Sequence, residues 1–122
     1  APLLVAMIEN SAAVENLDAI LQVPGLDAIL IGPYDLSASM GITAKFEAPE
    51  FSRAIESISL RCRKNRIACG VHVAMPDPAE LSRRVAEGFR FIAYAMDAVF
   101  LHTASAVPKV SSSSTGPWPD AR

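Results

Sequence analysis

The sequence predicts an α/β chain built on a parallel sheet, and three observations carry the prediction. Four continuous apolar runs recur without the polar alternation of a half-wetted sheet, and such runs mark strands buried on both faces. Segments with apolar residues at helical spacing separate them. The junctions hold turn and cap residues, among them Pro24-Gly25, Gly32-Pro33, Asp77-Pro78 and Gly88. The order reads βαβαβαβα, which implies parallel strands joined by right-handed crossovers. Four units at roughly 25–30 residues each make half of a (β/α)8 TIM barrel, whose whole length is about 250 residues. A small doubly wound sheet is the competing fold. It needs a strand order that reverses, and sequence does not give strand order.

The first strand is "LLVAMIE", Leu3 to Glu9, an apolar run closed by an acid. The next stretch, "NSAAVENLDAILQVPG", predicts one helix: Asn10 or Ser11 caps it, and Ala13, Val14, Leu17, Ile20 and Leu21 recur on one face until Pro24-Gly25 stops it. "LDAILIG", Leu26 to Gly32, is the second strand. "GPYDLSASMG" is a loop with one helical turn. "APEFSRAIESISLRCRKNR" is an amphipathic helix with Pro49 in its first turn and a stripe of Phe51, Ala54, Ile55, Ile58 and Cys62. "IACGVHVA" is the third strand. "DPAELSRRVAEG" is a helix capped by Asp77, with Pro78 first and Gly88 closing it. "FRFIAYAMD" is the fourth strand and "AVFLHTASAV" a short final helix, for which Asp97 is the expected N-cap. The barrel segment spans 1–106. The Ser-, Gly- and Pro-rich remainder, 107–122, cannot bury a core and is expected to be disordered, with Trp118 an exposed tail residue.

Composition limits the function classes. The chain has 122 residues, a formal net charge of −2 and 51% hydrophobic residues. That supports a core, gives no basic footprint for nucleic acid, and includes no apolar run of the roughly 20 residues needed to span a bilayer. The N-terminus has no basic segment and reads as a chain cut at the start of a strand rather than a signal peptide. Cys62 and Cys69 form neither a CxxC pair nor a disulfide framework. They are expected to be buried reduced thiols in a cytoplasmic protein.

In parallel α/β sheets, ligands bind at the carboxyl ends of the strands. That rule selects Glu9 after the first strand, Asp35 just past the second, His72 in the third and Asp97 after the fourth. Adjacent strands lie about 4.8 Å apart, so carboxylates at neighbouring ends can converge on one hard divalent cation, Mg2+ or Mn2+. The plainer alternative is that Glu9 caps the following helix and Asp35 caps a turn. Around Asp35, Gly32 lets a ligand approach the backbone, Pro33 fixes the turn, and the amides of Tyr34 and Asp35 are placed to meet an anion. His72 reads as a hydrogen-bonded core residue before it reads as a base. His102, in the last helix, reads as structural. There is no phosphate loop and no nucleophile elbow.

The stretch "MIENSAAVENLDAILQVPGLDAILIGPYDLSASMG", with "FEAPEF", "DPAEL" and "EGFRFIAYAMDAVFL" after it, resembles the HpcH/HpaI aldolase family from about Leu3 to Ala104. The resemblance implies a metal-dependent lyase of (β/α)8 TIM-barrel fold, of which this chain matches the C-terminal half, that cleaves 4-hydroxy-2-oxo acids to pyruvate and an aldehyde through a metal-stabilised pyruvate enolate. It implies Glu9 and Asp35 as ligands of Mg2+, Mn2+ or a similar ion. The backbone at Tyr34 and Asp35, beside Gly32, would bind the pyruvate carboxylate. Met7 stands where the family often has a substrate-binding Gln, and a thioether donates no hydrogen bond. The family's catalytic His and oxyanion-stabilising Arg belong to the first barrel half, so the chain alone is expected to be inactive. A homo-oligomer is implied for the complete enzyme. An acyl-CoA or citrate lyase-type relative, and a catalytically inactive metal-binding module, are the alternatives.

Overall fold

Four short strands, β1 (Val5–Ile8), β2 (Ala28–Ile31), β3 (Ala68–Val73) and β4 (Phe91–Tyr94), pair in parallel in their chain order, β1-β2-β3-β4. This computed structural model describes residues 2–105. The order separates the two folds left open by sequence. A doubly wound sheet reverses its strand order, whereas a barrel adds each strand to the same advancing edge. Here every crossover advances by one strand, which is barrel winding. The expected disorder of 107–122 and the exposure of Trp118 lie outside the described residues.

Register sorts the side chains into two faces. Ile8, Ile31, Val71 and Ile92 occupy one row across the sheet, and the first three are almost fully buried. They face the helix layer. Against them pack Phe51, Ile58 and Cys62 of α4 (Pro49–Asn65), the helix whose stripe the sequence marks. Each large side chain fully buried in this layer contributes about 1.5–3 kcal/mol. The opposite face carries Met7, Leu30, Gly70 and Phe91 in one row, with Met7 52% and Phe91 38% exposed. This is the face that a closed barrel would turn inward.

Several elements differ from the sequence expectation. The first helix is two, α1 (Ser11–Glu15) and α2 (Leu17–Leu21), broken at Asn16. The Asn16 side-chain amide donates back to the Ala12 carbonyl at 2.9 Å, and Ala19 and Ile20 both donate to the Asn16 carbonyl. Side chains of this kind compete with the helix ladder. The supposed loop after β2 holds a seven-residue helix, α3 (Pro33–Ser39), which buries Leu36 and Ser37. Pro33 opens it, and Ser37 and Ser39 hydroxyls donate to carbonyls of Tyr34 and Leu36 inside it. In α5 (Pro78–Ala86), Asp77 caps as expected by accepting from the Ala79 amide at 2.8 Å. In α6 (Asp97–Ala104) the cap is Met96, not Asp97: Asp97 already has the first helical position. His102 is exposed on that helix, which buries none of its residues, so it has no structural role in a core.

Candidate active site

Glu9 is the first residue beyond β1, so its side chain leaves on the face opposite Ile8, the face of Met7. Continuing the register by one residue sets Glu9 beside Gly32, and Gly32 beside His72. The space over Gly32 joins the cluster. A Cβ built on Gly32 would lie 3.4 Å from the Glu9 Cβ, 3.7 Å from the Met7 Sδ and 3.8 Å from the Met7 Cγ. Gly32 has φ −97, open to any residue, so no backbone strain calls for glycine there.

Two contacts tie the loop after β1 to the segment after β2. The Gly32 amide donates to the Ile8 carbonyl at 3.1 Å, and the Ser11 amide donates to the Ser39 hydroxyl at 2.9 Å. The helix α3 thus starts and ends against the chain on either side of Glu9. Asp35 lies in the first turn of α3. Among the described residues, neither Glu9 nor Asp35 engages in a side-chain hydrogen bond or ion pair, and both are exposed. The capping alternative for Glu9 is displaced, because Asn10 caps α1 by accepting from the Ala13 amide at 2.8 Å. Asp35 accepts no capping bond either. Gly32 is the N-cap of α3 and supplies no side-chain oxygen. The first amides of a helix have no partner inside it, so those of Tyr34 and Asp35 are free to meet a ligand.

The other candidates sit close by or apart. His72 is half-buried on the same inner face, with Nε2 3.4 Å from the Ala95 carbonyl oxygen. That is a long contact for a nitrogen donor, so the core hydrogen bond expected of it is weak. Tyr34 stacks edge-on against Phe46 at 5.0 Å and shares a cavity of about 230 Å³ with His72, Asp77 and Glu80. A larger cavity, about 420 Å³, opens on the helix side between α4 and α5, lined by Phe51, Ile55, Arg83 and Arg84. It shares no residue with the Glu9–Asp35 region and is not where strand ends deliver chemistry. Among the described residues no group of three or more His, Cys, Asp or Glu side chains is placed to hold an ion. Glu9 directly follows β1, and Asp35 lies in the first turn of α3 directly after β2.

Sequence reasoning passed over Gly70. Its position inside an apolar strand is the usual sign of a close backbone approach. A Cβ there would fall 2.5 Å from Phe91 Cδ1 and 2.6 Å from the Phe91 carbonyl oxygen. Gly70 therefore sets how closely β4 approaches β3 on the inner face.

Comparison with known proteins bears on the family and the fold. Residues 2–104 match the family model described as HpcH/HpaI aldolase/citrate lyase. The 2-keto-3-deoxy-L-rhamnonate aldolase of Salmonella paratyphi B is 43% identical over 94 residues, covering 77% of this chain and 34% of that enzyme. The crystal structure of an HpcH/HpaI aldolase from Desulfitobacterium hafniense DCB-2 superposes with a TM-score of 0.78 at 32% identity, over 85% of this chain and 40% of that one. Macrophomate synthase, at 21% identity and a TM-score of 0.66, shares the fold. The chain thus spans about a third of the length of the curated relatives it matches.

Proposed function

The chain belongs to the HpcH/HpaI aldolase/citrate lyase family, and we propose that it forms the cation-holding half of an aldolase site, with Glu9 and Asp35 as the ligands. The observation that carries the reading is the close approach of Glu9 and Met7 to the Cα of Gly32, followed at once by the uncapped start of α3. Two carboxylates without protein partners at one strand edge suit a hard divalent ion, Mg2+ or Mn2+. Such an ion, when bound, supplies Lewis-acid polarisation of a substrate keto oxygen.

The chain's own residues do the rest. The amides of Tyr34 and Asp35 orient the carboxylate of a 2-oxo acid such as pyruvate by donating to it. Gly32 keeps a Cβ out of the space that the substrate enters. Met7 presents a thioether at that space, so it shapes the site by contact rather than by hydrogen bonding. The substrate class is a 4-hydroxy-2-oxo acid, cleaved to pyruvate and an aldehyde. The base and the oxyanion donor come from outside this segment, in the first half of the barrel. Residues 1–106 make up the barrel segment. Association of the complete enzyme with its own copies belongs to the same proposal, supported by Phe100 and Leu101, which are 46% and 70% exposed on α6.

The test is pyruvate release from a 4-hydroxy-2-oxo acid, measured with the chain alone and with the first barrel half supplied as a separate polypeptide. Release that needs both the first half and Mg2+ or Mn2+ agrees with the proposal. Release by the chain alone, or release indifferent to chelator, contradicts it.

A further inference from the structure

Glu9 and Asp35 both lie on segments that leave the sheet, and those segments are fastened to each other at two points. The Gly32 amide, just past β2, donates to the Ile8 carbonyl at the end of β1, at 3.1 Å. Further along both segments, the Ser39 hydroxyl accepts from the Ser11 amide at 2.9 Å. The two bonds close a ring of chain. One arm runs from Ile8 to Ser11 and carries Glu9, and the other runs from Gly32 to Ser39 and carries Asp35. The first bond continues the strand ladder and is backbone to backbone. The second depends on one side chain.

The surroundings fit Ser39 to that task. A hydroxyl has one proton to give, and Ser39 gives it to the Leu36 carbonyl inside α3 at 2.8 Å, which leaves the oxygen to accept from Ser11. The Ser11 amide needs such an acceptor. As the first residue of α1 it has no partner inside the helix, and the Asn10 side chain is already bonded to the Ala13 amide at 2.8 Å. The helix that offers Ser39 is itself held from behind. Leu36 and Ser37 are fully buried. The Ser37 hydroxyl donates to the Tyr34 carbonyl at 2.8 Å and accepts from the Ala44 amide at 3.0 Å, and the Ile42 amide donates to the Ser37 carbonyl at 3.0 Å. Ser39 is therefore where a firmly seated α3 reaches across to the arm that carries Glu9.

We propose that Ser39 is a positioning residue of the cation site: by holding the Ser11 amide, its hydroxyl fixes the arm that carries Glu9 against the helix that carries Asp35. The proposal rests on the reading of Glu9 and Asp35 as ligands and adds the group that keeps them in place. Neither carboxylate has a side-chain hydrogen bond or ion pair among the described residues, so each is placed by the backbone that bears it. With the Ser39–Ser11 bond formed, Glu9 and Asn10 span a short stretch tied at both ends. Without it, the turn into α1 can shift against α3, and binding an ion must first order that turn. The Ser39 hydroxyl is committed to Leu36 and Ser11, so it acts through the backbone and not as a ligand.

Calorimetric titration with Mn2+, alongside urea unfolding, tests the proposal. Ser39 is exposed and alanine suits a helix, so Ser39→Ala should keep a urea midpoint near wild type while weakening Mn2+ binding by about threefold to tenfold, the size of one hydrogen bond. Ser39→Thr keeps the hydroxyl and should bind within about twofold of wild type. Ser11→Pro removes the donor from the other side. Proline suits the first position of a helix, and Asn10 before it is already extended, at φ −145 and ψ 158. This variant should weaken binding as Ser39→Ala does, and the two together should weaken it no further. Wild-type affinity in Ser39→Ala overturns the proposal and leaves the ligand assignment standing. A loss that Ser39→Thr shares, that comes with a lowered urea midpoint, or that adds to the loss from Ser11→Pro overturns it equally. Mn2+ binding that is indifferent to Glu9→Gln and Asp35→Asn removes the ligand assignment, and this proposal with it.

Discussion

Replacing Gly70 with alanine puts one methyl group where β3 and β4 meet most closely. The added Cβ would lie 2.5 Å from Phe91 Cδ1 and 2.6 Å from the Phe91 carbonyl oxygen. Carbon atoms in packed contact rest at about 3.5–4.0 Å, so the ring contact is short by about 1 Å. The ring can turn aside, because Phe91 is 38% exposed. The carbonyl oxygen cannot move unless β4 shifts against β3. Overpacking of this kind costs about 1–3 kcal/mol, and a backbone obstacle belongs at the upper end. Alanine stiffens the unfolded chain and returns about 0.4–1 kcal/mol. The expected net loss is about 2 kcal/mol, which at a urea slope of about 2 kcal/mol/M lowers the midpoint by about 1 M with the slope unchanged. Urea unfolding followed by circular dichroism reads it. Introduced into a Phe91→Ala background, the same substitution should still cost at least half as much, because the backbone oxygen remains. An unchanged midpoint, or complete recovery with Phe91→Ala, would refute the backbone argument.

Three further substitutions bear on other parts of the chain. Gly32→Ala meets Glu9 and Met7 only at ordinary contact distance, 3.4–3.8 Å, so its urea midpoint should stay near wild type while divalent-ion or pyruvate binding falls at least tenfold by calorimetry. Arg66→Gly relieves a left-handed residue at the end of α4 and should raise stability by about 0.5–1 kcal/mol, read as a higher melting temperature. The Arg61 guanidinium, bonded to both Asp18 oxygens at 3.0 Å, holds the Asp18 carboxyl below its usual range. A lowered carboxyl contributes stability above the ordinary carboxylate range and loses it as pH falls through the folded value. Asp18→Asn should therefore flatten the acid limb of a stability–pH profile and leave its neutral-to-basic shape alone.

The order of elements was legible because four apolar runs of strand length alternate with helical stripes, and burial on both faces writes that pattern directly. The break at Asn16 was not. Ala13, Val14, Leu17, Ile20 and Leu21 keep one helical period through it, and a kink that preserves the buried face leaves periodicity unchanged. The helix α3 was read short because Ser37, Ala38 and Ser39 carry little apolar signal, although Leu36 and Ser37 are buried once the chain folds. Each strand ladder is also shorter than its apolar run, since pairing stops where neighbours end while hydrophobicity continues. At the site, the strand-end rule selected Glu9 and the segment from Gly32 to Asp35, and the structure brings Glu9, Gly32 and Met7 into contact distance. What sequence could not supply was depth: strand order and the closeness of Gly70 to Phe91.

The central claim is that Glu9 and Asp35 hold one divalent cation, and a calorimetric titration with Mn2+ tests it most directly. Wild-type protein should bind one ion per chain, Glu9→Gln and Asp35→Asn should each weaken that binding at least tenfold, and the double variant should bind none, with urea midpoints near wild type throughout because neither carboxylate has a protein partner among the described residues. Undiminished Mn2+ binding in the folded double variant would contradict the account.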